Sequence, residues 1–283
     1  MSEGGLSEGG LSEGGLSEGG LSEGGLSEGG LSEGGLSEGG LSKAEVFRAL
    51  HHGRTPGDPL VLPGPWDAAS ARALVAAGFP ALATPSAGVA AALGYADGET
   101  PADEMFAAVA RIARAVDVPV SADVEDGYGL APGELVERLL EAGAVGCNLE
   151  DSAHGVLKDP HEQAGYLAGV RAAAGDRLFV NARVDTFVRQ VPDMAETIER
   201  ARLYVAAGAD CVYPILAPVD ALPLLRAAVE GPLNAVAAVG DGPSPAELGE
   251  RGATRITFGP GLQQRATAAL REIAVALRRR RRG

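Results

Sequence analysis

Lysine is nearly missing from this 283-residue chain: Lys43 and Lys158 are the only two. A Schiff-base aldolase needs a desolvated lysine among its strands. Lys43 precedes the strand-rich part and Lys158 falls in a polar loop, so that chemistry is disfavoured. Cysteine is equally scarce. Cys147 and Cys211 each sit inside an apolar, strand-like run, which fits buried thiols in a reducing cytoplasm and neither a disulfide framework nor a zinc pair. The four histidines, His51, His52, His154 and His161, show no zinc-ligand spacing. No apolar run reaches membrane-spanning length, and the N-terminus has no basic and apolar secretion signal. The expectation is a cytoplasmic protein without a membrane partner. A Gly-x-Gly-x-x-Gly opening is also missing; Pro63-Gly64-Pro65-Trp66-Asp67 stands where a dinucleotide-binding sheet would place it.

What is present begins with a repeat. From Ser2 to Leu41 the pentapeptide Ser-Glu-Gly-Gly-Leu recurs eight times. Two glycines in every five residues oppose both helix and strand, and one leucine per unit cannot build a core. Residues 1–42 therefore read as a disordered acidic arm, and 43–283 as one catalytic domain with a basic tail at Arg278–Arg282. The arm holds eight of the 38 acidic residues, leaving 30 acids against 24 bases. That mildly acidic balance argues against a nucleic-acid partner.

After a short amphipathic helix at 43–53 a rhythm sets in of apolar strand, loop and Ala/Leu/Arg-rich helix. Strands fit at 60–62, 80–83, 118–122, 144–149, 178–182, 211–215, 233–238 and 254–258. Helices fit at 67–77, 102–115, 132–142, 160–173, 193–207, 218–228, 244–250 and 261–278. Helix-ending glycines recur at Gly78, Gly143, Gly208 and Gly252. Eight strand–helix units in about 240 residues match an α/β fold of the (β/α)8 TIM-barrel type; the competing architecture is an open doubly wound sheet.

In such barrels the chemistry sits at the carboxyl ends of the strands. The third strand runs into Ser121-Ala122-Asp123-Val124-Glu125-Asp126-Gly127-Tyr128-Gly129. Asp123 and Glu125 are two apart, so on an extended strand they share a face, and paired carboxylates suit a hard cation such as Mg2+. A solvated turn capping the next helix is the other reading. The same rim receives Thr84 to Gly88 and Asp97 after the second strand, Asn148, Glu150 and Asp151 after the fourth, and Asn181, Arg183 and Asp185 after the fifth. Asp67, Asp151 and Asp185 also read as caps of helices or loops, and Arg183 as a member of a structural ion pair. A 2-oxo acid would chelate the metal, which stabilises the enolate formed when the adjacent bond breaks. Arg183 would clamp a carboxylate, main-chain amides of Ser86, Ala87 and Gly88 would hold the other end, and His154 would act as acid or base or be a surface residue.

Taken together, Trp66-Asp67, Thr84-Pro85-Ser86-Ala87-Gly88-Val89-Ala90, Ala122 to Gly129, Asn148-Leu149-Glu150-Asp151 and Asn181-Ala182-Arg183-Val184-Asp185 resemble the isocitrate lyase/phosphoenolpyruvate mutase superfamily over roughly 60–277. The resemblance implies that Asp123, Glu125, Asp97 and Glu150 form the Mg2+ site, several through water. It also implies that Arg183 and Asp123 meet the substrate, that Ser86–Gly88 bind the oxo acid, and that the last helix, 261–278, is exchanged between subunits of a homodimer or homotetramer. Two departures stand out. Ser152-Ala153-His154-Gly155-Val156-Leu157-Lys158 replaces both the cysteine-bearing loop of the lyases and the Lys-Thr-Asn-Ser gating loop of the mutases. The expected activity is a Mg2+-dependent carbon–carbon lyase or decarboxylase acting on a small 2-oxo or 2-hydroxy (di)carboxylate. The alternatives are phosphorus transfer of the mutase or phosphonopyruvate hydrolase type, or a non-catalytic metabolite-binding barrel.

Overall fold

A computed structural model describes residues 40–191 and 193–280. The repeat arm, save its last residues, and the end of the arginine tail lie outside the described residues. Ser42 caps α1 (Lys43–His51) through a reciprocal box with Glu45. The order then runs β1 (Leu60–Val61), α2 (Ala68–Ala76), β2 (Leu82–Ala83), α3 (Ser86–Leu93), α4 (Ala102–Ala113), β3 (Val120–Asp123), α5 (Pro132–Glu141) and β4 (Gly146–Leu149). A short hairpin follows, β5 (Ser152–Ala153) against β6 (Val156–Leu157), then α6 (Pro160–Ala174), β7 (Phe179–Val184), α7 (Met194–Ala206), β8 (Cys211–Pro214), α8 (Leu222–Ala228), β9 (Asn234–Val236), α9 (Pro245–Glu250), β10 (Arg255–Thr257) and α10 (Gly261–Arg280).

Hairpin apart, every strand pairing is parallel. One sheet has the order β2-β3-β4-β7-β8 and the other β1-β10-β9. They approach at both seams. Val212 bridges Leu233 in parallel and donates to the Pro232 carbonyl, while the Ala83 amide donates to the Pro63 carbonyl. The result is a curled parallel sheet with helices outside, consistent with the expected (β/α)8 barrel and not with an open doubly wound sheet.

Alternation along the short strands sorts the side chains. Outward-facing Ala122, Cys147, Leu149, Val180, Ala182 and Val212 are buried against Leu135, Leu139, Leu167 and Tyr204 of the helices. Both thiols are free and buried, and burial pushes each up to about 12. Across the amino end of the barrel lies α1. Phe47, fully buried, packs with Leu60, Leu62, Phe179 and Cys211, its ring edge-on to Phe179 at 5.4 Å. Gly146 makes this plug possible, since a Cβ there would stand 2.8 Å from the Phe47 ring.

Two elements depart from expectation. Residues 86–93 form helix α3 where a loop was expected, and 152–157 form the hairpin. Asp67 is the expected cap: it accepts from the Ser70 amide at 2.7 Å. At the other end of the chain, α10 meets α3 at its start, but none of its residues is buried. Leu270, Ile273, Val275 and Leu277 are at least half exposed along it.

Candidate active site

The strand ends converge on one cavity of about 50 Å3, lined by Thr84, Ser121, Asp123, Asn148, Arg183, Tyr213, Asn234, Arg255, Thr257 and Gly259, among others.

Asp123 is the best-supported side chain in it. Its register partner on β4 is Asn148, whose own partner on β7 is Asn181. Asn181 Nδ2 donates to Asn148 Oδ1 at 2.7 Å, and Asn148 Nδ2 donates to Asp123 Oδ1 at 3.3 Å. The hydroxyl and amide of Ser86 donate to Asp123 Oδ2 at 2.9 and 3.3 Å. Three strands and the first turn of α3 thus hold one carboxylate. Ser86, Ala87 and Gly88 are the first residues of this uncapped helix, a turn whose amides have no carbonyl of their own helix to bond. Gly88 lets the chain pass Pro85, because a Cβ there would lie 2.8 Å from its ring.

Glu125 does not reach the site as an extended strand residue. The strand stops at Asp123, and Glu125 has φ +52°, a left-handed conformation that costs a non-glycine residue roughly 1–2 kcal/mol. The parallel ladder nonetheless continues through its carbonyl, which accepts from the Glu150 amide at 2.8 Å. Oε1 of Glu125 and the hydroxyl of the neighbouring Tyr128 are both buried without a well-aligned hydrogen bond, although the phenol is near enough to pull the Glu125 carboxyl down a little. Burial, with the charges of Asp123 and Asp97, lifts the Glu125 carboxyl to about 7. Asp97 lies on the exposed segment between α3 and α4, its carboxyl raised by partial desolvation and by Asp123.

Arg183 is the hub of the opposite wall. Nε and Nη2 form a fork to the two Asp185 oxygens at 2.9 and 3.0 Å, and Nη1 meets Glu150. Asp185 is therefore no cap; it grips the arginine. Asp151 is no cap either. Fully buried, it accepts from the Asp185 amide, Tyr204 and Arg200, fixing the end of β7 to α7. Burial opposes charge on Arg183, but Glu150 and Asp185 outweigh it and hold the guanidinium protonated. Burial likewise pushes the Glu150 carboxyl up, with Arg183 pulling against it.

His154 has φ +50° on the exposed turn of the β5–β6 hairpin, outside the cavity lining. Lys158 is engaged by the carbonyl and carboxylate of Asp126 at 3.2 and 3.4 Å. Ser121, Tyr213, Asn234, Arg255 and Thr257 were not singled out by the sequence. The available signal was alternation, since Arg255 and Thr257 are two apart on the last strand and face the same way.

An all-oxygen donor set with like-charged, partly desolvated neighbours and one orphaned buried oxygen fits Mg2+, which keeps several waters and takes few direct carboxylates. Among the described residues no three acids come close enough to grip a bare ion together. The fit is therefore to a hydrated ion reached largely through water.

Known proteins resemble this chain in sequence and fold. The family model described as phosphoenolpyruvate phosphomutase matches residues 47–278. A structure from Burkholderia cenocepacia, named provisionally as a phosphonomutase, is 40% identical with a TM-score of 0.76, covering 83% of this chain and 98% of its own. The structure of 2,3-dimethylmalate lyase is 28% identical with a TM-score of 0.74, covering 84% and 85%. Phosphonopyruvate hydrolase, in complex with oxalate and Mg2+, shares the fold at 22% identity and a TM-score of 0.76, covering 84% and 88%.

Proposed function

Because the chain belongs to the phosphoenolpyruvate mutase/isocitrate lyase superfamily, we propose that it is a Mg2+-dependent lyase or decarboxylase acting on a small 2-oxo or 2-hydroxy (di)carboxylate. The observation that carries this reading is the single cavity in which Asp123, braced by Ser86 and Asn148, faces Arg183, held by Asp185 and Glu150. Asp123, with Glu125, Asp97 and Glu150 through water, would hold the metal. When bound, Mg2+ supplies a Lewis acid that favours negative charge on a neighbouring oxygen.

The chain's own residues do the rest. Amides at the start of α3 offer donors to a substrate carboxylate, aided by the helix dipole. Arg183 has five N–H groups, and its ion pairs with Asp185 and Glu150 use three of them. The others can meet a second anionic oxygen in a fixed orientation. The Asp185 fork sets the guanidinium plane, so the arginine is in place before substrate arrives. Tyr213 closes the inner wall, its phenol pushed up to about 12 by burial, so it remains a neutral donor at neutral pH. His154, the candidate for proton transfer, sits on the exposed hairpin turn outside the cavity lining.

The family model's own description keeps phosphorus transfer as the second reading. One assay separates the two. Purified full-length protein with Mg2+ is offered oxaloacetate and malate derivatives on one side and phosphonopyruvate on the other. Pyruvate or another 2-oxo acid released without phosphate supports the lyase; phosphate released from phosphonopyruvate supports the second reading. Neither product from any substrate would leave a binding barrel.

The exposed apolar side chains of α10 support a further part of this reading, in which that helix packs on a second copy of the chain in a homodimer or homotetramer.

A further inference from the structure

One buried cation in the barrel has no ion-pair partner among the described residues. Arg255 is 1% exposed, yet none of the ion pairs among the described residues includes it. Its nearest polar contact is neutral: Nη1 lies 3.5 Å from His51 Nε2. The proton of that imidazole is on Nδ1, which donates to the Phe47 carbonyl at 2.8 Å. The guanidinium carbon stands 5.9 Å from the Phe47 ring centroid, and Nε has no hydrogen-bond partner. Cys211, Tyr213, Cys147 and, after them, Asp123 favour its charge; only Asp123 is an anion, and it forms no ion pair with Arg255. An arginine cannot shed its proton to escape, and an isolated buried ion costs several kcal/mol. The same side chain lines the cavity that holds Asp123 and Arg183, beside the unpartnered hydroxyl of Ser121 and the Asn234–Thr257 pair.

The geometry points to Arg255 as a second anion-binding site at the inner end of the cavity, so that the substrate is a small acid with two anionic groups, one met by Arg183 and the other by Arg255. This rests on the reading of the cavity as a substrate site and narrows it. The neutral imidazole of His51 makes chemical sense in that role: it fixes one Nη while leaving the positive charge unpaired for the incoming anion. A carboxylate or phosphonate oxygen at Nε would satisfy the donor now left over and neutralise the charge. Charge-assisted hydrogen bonds are worth about 1.5–3 kcal/mol, which corresponds to roughly 10- to 140-fold in affinity.

The test is calorimetric titration of the Mg2+-loaded full-length protein with pyruvate, which carries one carboxylate, and with 3,3-difluorooxaloacetate, which carries two. Arg255→Met should weaken the two-carboxylate acid at least tenfold and leave pyruvate within twofold, with Arg255→Lys in between. Equal weakening of both acids, or of neither, would show an arginine that serves only the fold and would overturn the proposal. Failure of the underlying reading looks different: Asp123→Asn would then leave both affinities unchanged, whatever Arg255 does to their ratio. If Arg255→Met does not fold, crystals of the wild-type protein with Mg2+ and the difluoro acid decide. A carboxylate within hydrogen-bond distance of Arg255 supports the site, and both carboxylates lying beyond that distance sink it.

Discussion

At the scale of single residues, the site distinguishes side chains that are built in from those that are merely near. Asp123 receives hydrogen bonds from two other elements and is the one acid through which metal and substrate would both be arranged. Asp123→Ala should lower kcat by about a thousandfold or more, the scale of losing a metal's charge stabilisation, while the melting temperature stays within a few degrees. Turnover at wild-type rate in a folded Asp123→Ala protein would remove the enzymatic reading. His154 has no such support. A general acid or base contributes roughly 10²–10⁴-fold, so if the exposed turn is only a turn, His154→Ala should change kcat by less than about threefold. A loss of a hundredfold would return the proton-transfer role to it. These charged residues were legible in the sequence because Asp123, Glu150, Arg183 and Asp185 stand at or just past the ends of otherwise apolar strands. Arg255 was not. It opens a strand of three, Arg255–Thr257, and reads as an ordinary polar edge; alternation puts it on the face of Thr257, but only the curl of the sheet makes that face the inside.

Among the elements, α1 shows how a short helix outside the strand–helix rhythm can control the interior. Its His51 is 3% exposed and stacks on Phe179 with ring centroids 4.0 Å apart. Burial, then the Arg255 charge, pulls its pKa down from 6.5 to about 3. Unfolded chains take up the proton near 6.5 and the folded chain does not until near 3. The unfolded state therefore binds more protons in between, and stability falls as pH drops through that window. At pH 5 the loss is about 2 kcal/mol. Urea melts of wild type and His51→Gln should diverge in slope between pH 6.5 and 4, with the variant flatter; parallel curves would mean the imidazole is solvated. Gly146→Ala tests the same plug from the strand side. Its Cβ would meet the Phe47 ring at 2.8 Å, and overpacking of this kind costs about 1–3 kcal/mol. Most of the strand–helix alternation was legible because apolar runs and helix-ending glycines mark it. Helix α3 was hidden for a physical reason: Ser86–Leu93 is apolar on nearly every side, follows Pro85 without a side-chain cap and has Gly88 in its first turn, so it carries neither an amphipathic stripe nor a capped start. The β5–β6 hairpin is two residues per strand, too short for any alternation to show.

For the molecule as a whole, the unfinished surface is α10. Leu270, Ile273 and Leu277 recur at the spacing of one helical face and are 65%, 56% and 60% exposed. Burying such side chains stabilises by about 1.5–3 kcal/mol each, which is a large term for an assembly and no contribution to a lone chain. Through its first turn the helix also touches the cavity end of the barrel: Gly259, just before it, lines the cavity, and a Cβ on Gly88 would lie 3.5 Å from that of Gln263. Packing of α10 on a second copy would thus brace the start of α3, whose Ser86 holds Asp123. The double substitution Leu270→Glu, Leu277→Glu should convert a sedimenting dimer or tetramer to monomer without loss of helical circular dichroism. Because the brace is lost and the acids themselves are untouched, KM should rise more than kcat falls. A wild-type protein that already sediments as a monomer, or a double variant with unchanged mass, would mean that this face of α10 is covered by something other than a second copy.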